Sequence, residues 1–274
     1  MTKKVRLDVL LVERGLLETR EKAKRTIMAG LVFSESERLD KPGMKVDETL
    51  ELTVKGKAIP YVSRGGLKLE KAIHQFDIQL NDKIMIDIGS STGGFTDCAL
   101  QNGVKLSYAI DVGYNQLDWK LRNDPRVIVM ERTNFRYVTE ANLQHGQPQF
   151  ASIDVSFISL KLILPVLKEL LLPNSDVVAL IKPQFEAGRE QVGKKGIVRD
   201  KKVHKQVIAK IISFAEELGF TMGGLTYSPI TGGDGNIEFL AHFQWKTDEE
   251  GKSFSDVEVD SIVADAHETH RKHA

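Results

Sequence analysis

Short apolar runs alternate with stretches of helical periodicity from Lys83 onward, and this alternation restricts the possible folds more than any other feature of the sequence. The runs are KIMIDIG, LSYAIDVG, RVIVME, FASIDVS and DVVALIK. Because each is followed by a loop or a helical stretch, their order predicts an α/β fold with a parallel sheet covered on both faces. The last two runs, TMGGLTYSPI and IEFLAHFQW, are separated only by the tight turn TGGDGN. We therefore expect the sheet to end in an antiparallel hairpin.

The first 60 residues follow a different pattern and predict a small α+β module. Residues 5–17 show helical periodicity with Val5 on the apolar face, and a second helix over 20–29 has Thr19 as its N-cap and Gly30 as its stop. The runs LVF and DETLELTV then indicate a small system of strands. The segment AIPYV contains a proline and is the best linker candidate. The predicted boundaries are a module at 1–57, a linker at 58–62, a large domain at 63–246, and a charged C-terminal tail with a short helix at 247–274.

Charge and cysteine content narrow the functional class. The formal net charge is +0, so any affinity for nucleic acid must come from a local basic surface. The first 60 residues carry thirteen Lys and Arg against ten Asp and Glu, whereas the tail from Lys246 carries four against eight. The single cysteine, Cys98, excludes an internal disulfide and suits a reducing, cytoplasmic environment. Since no run has the length of a membrane span or of a signal peptide's apolar segment, we expect no membrane partner.

The C-terminal tail contains His267, His270 and His273 at helical spacing, after a short amphipathic pattern. A metal site would need clustered Cys or carboxylate partners at suitable spacing, and the tail has none. We therefore expect these histidines to be solvated, and we predict no metal.

A glycine-rich loop follows the strand-like run KIMID and leads into a helix, a geometry that brings backbone amides close to a ligand. Asp111 ends the next strand about twenty residues later, where a carboxylate can bind the ribose hydroxyls of an adenosine cofactor. A dinucleotide cofactor would share these features, and so would a plain turn of small residues. The loop lacks GxGxxG spacing, however, and an acidic residue beside its first glycine suits a cationic amino-acid end better than a pyrophosphate. The predicted cofactor residues are Asp87, Gly89, Ser90, Gly93, Gly94, Phe95, Asp111 and Asn134.

Five motifs in the large domain are SRGGLKLEKA (63–72), DIGSSTGGFTD (87–97), SIDVSFISL (152–160), LIKPQFE (180–186) and GNIEFL (235–240). Together they resemble those of TlyA-type ribosomal RNA 2′-O-methyltransferases, relatives of the FtsJ group, and the similarity runs essentially end to end. The resemblance implies a Rossmann-like methyltransferase sheet, S-adenosylmethionine as the cofactor, and an S4-like RNA-binding module over about residues 5–57. It also implies 2′-O-methylation of a ribose, with cytidine as the target, in ribosomal RNA or ribosomal subunits.

The resemblance further maps a Lys-Asp-Lys-Glu catalytic tetrad onto Lys68, Asp154, Lys182 and Glu238. A ribose 2′-hydroxyl is a poor nucleophile until a base removes its proton. We expect Lys182 to be that base if burial and the charge of Lys68 stabilise its neutral form. Asp154 would hold the lysines, and Glu238 would orient Lys68 or the ribose. Taken singly, each residue is more simply a solvated or ion-paired strand end.

Basic residues in two regions are the predicted RNA contacts. In and near the N-terminal module they are Arg6, Arg20, Lys24, Arg25 and Arg64, although glutamates are interleaved with them. In the loop 188–200, Arg189, Lys194 and Lys195 either clamp RNA phosphates or simply form a mobile basic surface. The acidic turn SESERL (34–39) departs from the glycine-containing turn usual in the family's module.

Two other functions are compatible with parts of the sequence. One is a non-catalytic ribosome-assembly factor that binds ribosomal RNA, although such a scaffold would need neither the tetrad nor the glycine loop. The other is a membrane-active haemolysin, which the lack of a membrane-length apolar run disfavours.

Overall fold

The computed structural model describes residues 3–35, 37–55, 59–248 and 250–271. The chain divides into two compact units, Met1–Gly65 and Gly66–Ala274. The predicted boundary between residues 57 and 58 lies outside the described residues, so the domain limits given above stay a prediction.

The described residues of the N-terminal unit form two helices and two small sheets around an apolar core. Its elements are α1 (Leu7–Glu13), α2 (Arg20–Met28), β1 (Lys4–Arg6), β2 (Val32–Ser34), β3 (Glu37–Arg38), β4 (Lys45–Asp47) and β5 (Thr53–Val54). Strand β1 pairs antiparallel with β4, and β2 pairs antiparallel with both β3 and β5. Thr19 Oγ1 accepts a hydrogen bond from the amide of Lys22, and Gly30 follows α2 with a φ of 72°. Both predicted ends of α2 are confirmed.

One prediction for this unit is wrong and another is refined. Val5 lies in β1 rather than on a helical face, because α1 begins only at Leu7. The run DETLELTV contributes to both sheets, since β4 ends at Asp47 and β5 covers only the last two residues of the run. The Asp47 carboxylate accepts hydrogen bonds from the amide and the hydroxyl of Thr49, and this local turn separates the two strands.

The C-terminal unit is built on a seven-stranded sheet. Its strands are β6 (Ile84–Ile88), β7 (Leu106–Ile110), β8 (Val127–Met130), β9 (Phe150–Ile153), β10 (Ser175–Ile181), β11 (Phe220–Tyr227) and β12 (Phe239–Trp245). They lie in the order β11-β12-β10-β9-β6-β7-β8. The five neighbouring strands β10, β9, β6, β7 and β8 are parallel, and β12 is antiparallel to both β10 and β11. The predicted α/β sheet with a terminal antiparallel hairpin is confirmed.

Helix α3 (Gly65–Phe76) precedes the first of these strands and α9 (Asp256–Arg271) follows the last. The helices between strands are α4 (Gly94–Gln101), α5 (Trp119–Arg122), α6 (Leu164–Leu170), α7 (Pro183–Glu186) and α8 (Lys201–Glu217). Successive side chains of a strand point to opposite faces, and Val177–Ile181 in β10 are all at most 1% exposed, so both faces of the sheet are covered there. The order of strands reverses at β6, which lies between β7 and β9. In open α/β sheets a crevice opens at the carboxyl ends of the strands at such a reversal.

The C-terminal helix α9 shows that the prediction of solvated tail histidines is wrong. The helix buries an apolar stripe formed by Val259, Val263 and Ala266. His270 continues this stripe, is 8% exposed, and places Nε2 3.0 Å from the carbonyl oxygen of Ser228. His267 Nε2 lies 3.1 Å from Nδ1 of the buried His204 on α8. His273 lies outside the described residues.

Over the described ranges, no group of three or more His, Cys, Asp or Glu side chains is arranged to hold a metal ion. Within the same ranges, no helix combines the length and the apolar character that crossing a membrane requires.

Candidate active site

Four polar side chains meet at one edge of the large sheet. Asp154 and Lys182 directly follow β9 and β10, Glu238 directly precedes β12, and Lys68 lies on α3. Because β12 runs antiparallel to β10, its first residues lie beside the end of β10. The structure therefore brings together all four residues of the predicted tetrad.

The tetrad is linked by ion pairs. Lys68 Nζ lies 2.8 Å from Glu238 Oε2 and 3.5 Å from Asp154 Oδ2. Lys182 Nζ lies 2.5 Å from Asp154 Oδ1 and 3.2 Å from the hydroxyl oxygen of Ser156. Asp154 thus joins the two lysines, which offsets the repulsion between their ammonium groups. Within the tetrad, Lys68 contacts both carboxylates and Lys182 contacts one.

Burial strengthens the electrostatic interactions of the tetrad. Side-chain exposure is 9% for Lys68, 10% for Lys182, 2% for Glu238 and 21% for Asp154. Burial alone would lower the pKa of Lys68, but the charges of Asp154 and Glu238 outweigh it and raise that pKa above its ordinary value. Burial would raise the pKa of Asp154, but Lys68 and Lys182 outweigh it and lower that pKa. Lys68 and Asp154 are therefore both charged at neutral pH.

The glycine-rich loop lies between β6 and α4, next to the tetrad. Gly89 has a φ of 82°, and a Cβ at this position would overlap the carbonyl oxygen of Asp154. Gly93 has a φ of 98°, and a Cβ there would overlap the side chain of Leu121. Both positions therefore require glycine. Gly94 begins α4, so the loop leads directly into a helix N-terminus.

Two predicted cofactor residues lie on the loops after β7 and β8. Asp111 follows β7, and its two carboxylate oxygens accept from the amides of Ser91 at 2.8 Å and Gly113 at 2.7 Å. Asn134 lies on the loop after β8, where its Oδ1 accepts from the amide of Arg136 at 3.1 Å. Asp111 is thereby fixed against the glycine-rich loop.

Three other predicted cofactor residues are buried. Asp87 is 0% exposed, and its carboxylate accepts hydrogen bonds from Thr96 and Ser152. Burial raises the pKa of Asp87 to about 6 in spite of these hydrogen bonds. Asp87 therefore holds the loop and α4 against β9, and its predicted contact with the cofactor stays a prediction. Ser90 and Phe95 are 6% and 4% exposed, so their contribution to the loop lies in the backbone and in packing.

Comparison with known proteins decides the family. A family model described as "FtsJ-like methyltransferase" matches residues 61–245, and one described as "S4 domain" matches residues 5–52. The chain belongs to the FtsJ-like methyltransferase family. It is 67% identical over 269 residues to "Putative rRNA methyltransferase YqxC" of Bacillus subtilis (strain 168), covering 98% of this chain and 96% of that protein.

Two further similarities extend along most of this FtsJ-like methyltransferase. "16S/23S rRNA (cytidine-2′-O)-methyltransferase TlyA" of Mycobacterium tuberculosis (strain ATCC 25618 / H37Rv) is 40% identical over 249 residues, which cover 90% of this chain and 92% of that protein. The solved structure titled "Putative hemolysin from Streptococcus thermophilus" is 55% identical with a TM-score of 0.79, covering 100% of this chain and 99% of that one. The resemblance to the TlyA type is confirmed.

Sequence reasoning missed an exposed aromatic residue beside the tetrad of this FtsJ-like methyltransferase. Phe157 is 91% exposed, has a φ of 63°, and places its ring 4.9 Å from that of Phe185. The carboxylate of Glu186 fixes this segment by accepting from Ser159 Oγ at 2.6 Å and from the amide of Leu160 at 2.7 Å. The only sequence signal was that SFISL and KPQFE both follow strand-like runs, and that signal does not show which aromatic ring is exposed.

A second missed residue is Glu131, which closes the loop after β7. Its carboxylate accepts from Arg122 at 2.6 Å and from the amide of Gln116 at 3.1 Å. The hydrogen bond from Arg122 is the main cause that lowers the pKa of Glu131 to about 2. Glu131 thus fixes the loop that begins at Asp111. Its place at the end of the run RVIVME was the available signal.

The predicted RNA contacts of the N-terminal unit are partly engaged in ion pairs. Arg6 and Arg20 contact the buried carboxylate of Asp8 at 2.9 and 3.1 Å, and Arg6 is the main cause that lowers the pKa of Asp8 to about 2. Their side chains remain 46% and 53% exposed. Lys24 contacts Glu21 at 2.7 Å. The other two predicted contacts are partly buried: Arg25 and Arg64.

The predicted basic loop of the C-terminal unit is exposed at Arg189, Lys194 and Lys195. It borders an open groove of about 480 Å³ lined in part by Lys194, Lys195 and Arg199. The loop therefore presents cations to solvent, whereas the cations of the tetrad are buried.

Proposed function

We propose that this FtsJ-like methyltransferase transfers a methyl group from S-adenosylmethionine to the 2′-hydroxyl of a cytidine ribose in ribosomal RNA. The observation that carries the proposal is the buried, ion-paired cluster of Lys68, Asp154, Lys182 and Glu238 beside the glycine-rich loop. The printed name of the Mycobacterium tuberculosis relative, a 16S/23S rRNA (cytidine-2′-O)-methyltransferase, supports the choice of substrate.

Lys182 is the base in this proposal. Lys182 contacts one carboxylate of the tetrad, whereas Lys68 contacts two. The ammonium group of Lys182 therefore has fewer anionic partners than that of Lys68. When Lys182 is neutral, Asp154 keeps its ion pair with Lys68. The free amine then accepts the 2′-hydroxyl proton over hydrogen-bond distance. Lys68 stays charged and, with Glu238, orients the ribose.

The residues around the glycine-rich loop fit S-adenosylmethionine. This cofactor, when bound, supplies an electrophilic methyl group on a sulfonium. The loop Gly89–Gly94 would hold its amino-acid end, and Asp111 has lone pairs left for the ribose hydroxyls because each oxygen accepts only one hydrogen bond here. Val112 is 72% exposed directly after Asp111 and offers an apolar surface for the adenine. Asn134 would contact the same end of the cofactor.

RNA binding is assigned to two basic regions and one aromatic residue. The N-terminal domain, proposed to span 1–57, would dock folded RNA through Arg6 and Arg20. The loop 188–200 belongs to the catalytic domain and would contact RNA phosphates. We propose that this domain spans 63–246 and that the tail spans 247–274. Phe157 offers a ring on which an unstacked base can lie. A ribosomal RNA substrate places the enzyme in the cytoplasm.

The test is methyl transfer from labelled S-adenosylmethionine to ribosomal subunits purified from cells that lack this protein. Wild type should produce labelled 2′-O-methylcytidine, and Lys182→Ala should lower the rate by roughly 10²- to 10⁴-fold, the usual contribution of a general base. Lys205→Ala is the matched control, because Lys205 forms an exposed ion pair with Asp260 on α9.

Two outcomes would contradict the proposal. If wild type binds S-adenosylmethionine but labels neither subunit, the ribosome-assembly function or another RNA substrate is favoured. If Lys182→Ala transfers methyl groups as fast as Lys205→Ala, the assignment of Lys182 as the base is wrong.

A further inference from the structure

The basic loop 188–200 is attached to the tetrad through one buried amide. Asn236 is 2% exposed, its Nδ2 donates to the carbonyl of Gly196 at 2.9 Å, and its Oδ1 accepts from the amide of Val198 at 3.0 Å. A further hydrogen bond, from the amide of Gly193 to the carbonyl of Ile197 at 3.0 Å, closes the same turn. The Asn236 side chain therefore holds the backbone directly after Lys194 and Lys195, and the bond between Gly193 and Ile197 closes the turn around them.

Asn236 also lies two residues before Glu238 of the tetrad. Both residues are 2% exposed, and the chain leads from Asn236 through Glu238 directly into β12. Glu238 Oε2 contacts Lys68 Nζ at 2.8 Å, and the Glu238 carbonyl accepts from the amide of Ser228 at 2.8 Å. One short segment thus bonds the basic loop at one end and the buried lysine at the other.

We propose that Asn236 is a positioning residue that couples phosphate contact on Lys194 and Lys195 to the placement of Glu238 and Lys68. This inference rests on the proposed function, since it takes RNA as the occupant of the loop. Binding energy from phosphates remote from the reacting ribose is then used to align the tetrad, so it increases the rate of the chemical step as well as the affinity.

A purely structural role makes a different prediction. If Asn236 only satisfies the backbone of the loop, its loss lowers stability, and the loss of the two lysines lowers RNA affinity independently. If Asn236 couples the loop lysines to the tetrad, the effects of losing Asn236 and of losing the two lysines on the rate are not additive. Either change then interrupts the same connection. The single-turnover rate at saturating substrate separates these cases, since it does not include the affinity.

The experiment is a double-mutant cycle on that rate, with ribosomal subunits from cells that lack this protein as the substrate. Wild-type transfer is measured first, so that failure of the proposed function is seen before the cycle begins. Lys194→Ala with Lys195→Ala should lower the rate about tenfold, and Asn236→Ala should do the same. Combining all three changes should cause no loss beyond that of Asn236→Ala alone.

Two variants control for stability. Gln149→Ala removes an amide that bonds the backbone of Ile84 at 2.9 Å, away from the tetrad, so it should lower the melting temperature without changing the rate. Asn236→Asp keeps the acceptor for Val198 but loses the donor to Gly196, and it replaces Asn236→Ala in the cycle if that variant does not fold. The proposal would be overturned if the combined variant lost the product of the separate fold-reductions in rate, or if removal of the two lysines left the rate unchanged.

Discussion

Asp87 and Asp154 are carboxylates at the ends of adjacent parallel strands, yet their surroundings are opposite. Asp87 is opposite Ser152 in the pairing of β6 with β9, and its oxygens accept from the uncharged side chains of Thr96 and Ser152. Burial, with a smaller effect from the charge of Asp154, raises its pKa to about 6. Asp154 is also withdrawn from water, but Lys68 and Lys182 overcome this and lower its pKa.

The difference shows that the position on a strand and the chemical role of a residue are set separately. The parallel sheet brings both carboxylates to the same edge, as it does in any fold of this class. The cations come from elsewhere: Lys68 from α3 and Lys182 from the end of β10. A carboxylate without such partners anchors the loop, and one with them becomes part of a charged cluster.

Removing one cation should break this contrast and give the largest effect on stability. Lys68→Met leaves Glu238 and Asp154 with less compensation for their burial, so the free energy of unfolding at pH 7 should fall by about 3–5 kcal/mol. The pKa of Asp154 should rise towards that of Asp87. Urea unfolding at pH 7 and pH 5 measures both effects, because the loss should shrink as the carboxylates become protonated.

Lys205→Met is the matched control for this variant. Lys205 also pairs with an aspartate, Asp260, but the two side chains are 36% and 51% exposed. Exposed pairs contribute at most about 1 kcal/mol. Equal losses for Lys68→Met and Lys205→Met would show that burial does not strengthen the tetrad.

The sheet and the position of the tetrad could be predicted because the signal for them is local. Runs such as DVVALIK are apolar on both faces, which only a covered strand tolerates, and polar residues directly after such runs mark its end. The hairpin followed from the short turn between the last two runs. Asp154, Lys182 and Glu238 could thus be placed at one edge without knowledge of their contacts.

The sequence was least informative for residues whose surroundings come from distant parts of the chain. The sequence did not show the burial of Asp87, because one of its partners, Ser152, comes from a strand 65 residues further on. His270 was predicted to be solvated because the sequence does not show that α9 packs onto α8 and β11. The same limit hid Phe157, since an aromatic residue at a strand end reads as an apolar residue of the core.

The pH dependence of stability is a second test of the contrast between Asp87 and Asp154. Its expected effect on the free energy of unfolding is smaller, on the order of 2 kcal/mol. The pKa of Asp87 is about 6 in the folded state and 3.8 ordinarily, so the folded state holds the proton more tightly between these values. The cost of an ionised Asp87 is therefore full above pH 6 and disappears as the pH falls towards 3.8. Asp87→Asn has no such cost at any pH. The free energy of unfolding of wild type, relative to that of this variant, should therefore increase as the pH falls.

Urea unfolding of wild type and Asp87→Asn between pH 7 and pH 4.5 measures this change. Asp124→Asn is the control, because the hydrogen bond from Arg126 lowers the pKa of Asp124 and places its titration below this window. A difference between wild type and Asp87→Asn that stays constant over the window would mean that Asp87 has an ordinary pKa.

A third carboxylate gives the smallest expected effect and tests whether an ion pair alone confers a role in the chemistry. Glu131 pairs with Arg122 but lies outside the tetrad, directly after β8, where its carboxylate accepts hydrogen bonds from the loop that begins at Asp111. Glu131→Gln keeps an acceptor for the loop amides and loses the charge, so the dissociation constant for S-adenosylmethionine should rise about fivefold, or ~1 kcal/mol. The single-turnover rate at saturating cofactor should change by less than about twofold, because Glu131 contacts no member of the tetrad among its described partners. Calorimetric titration and rapid-quench kinetics measure the two quantities. If Glu131→Gln lowered the rate as much as Lys182→Ala and left the cofactor affinity unchanged, Glu131 would have a role in the chemical step instead of in holding the loop.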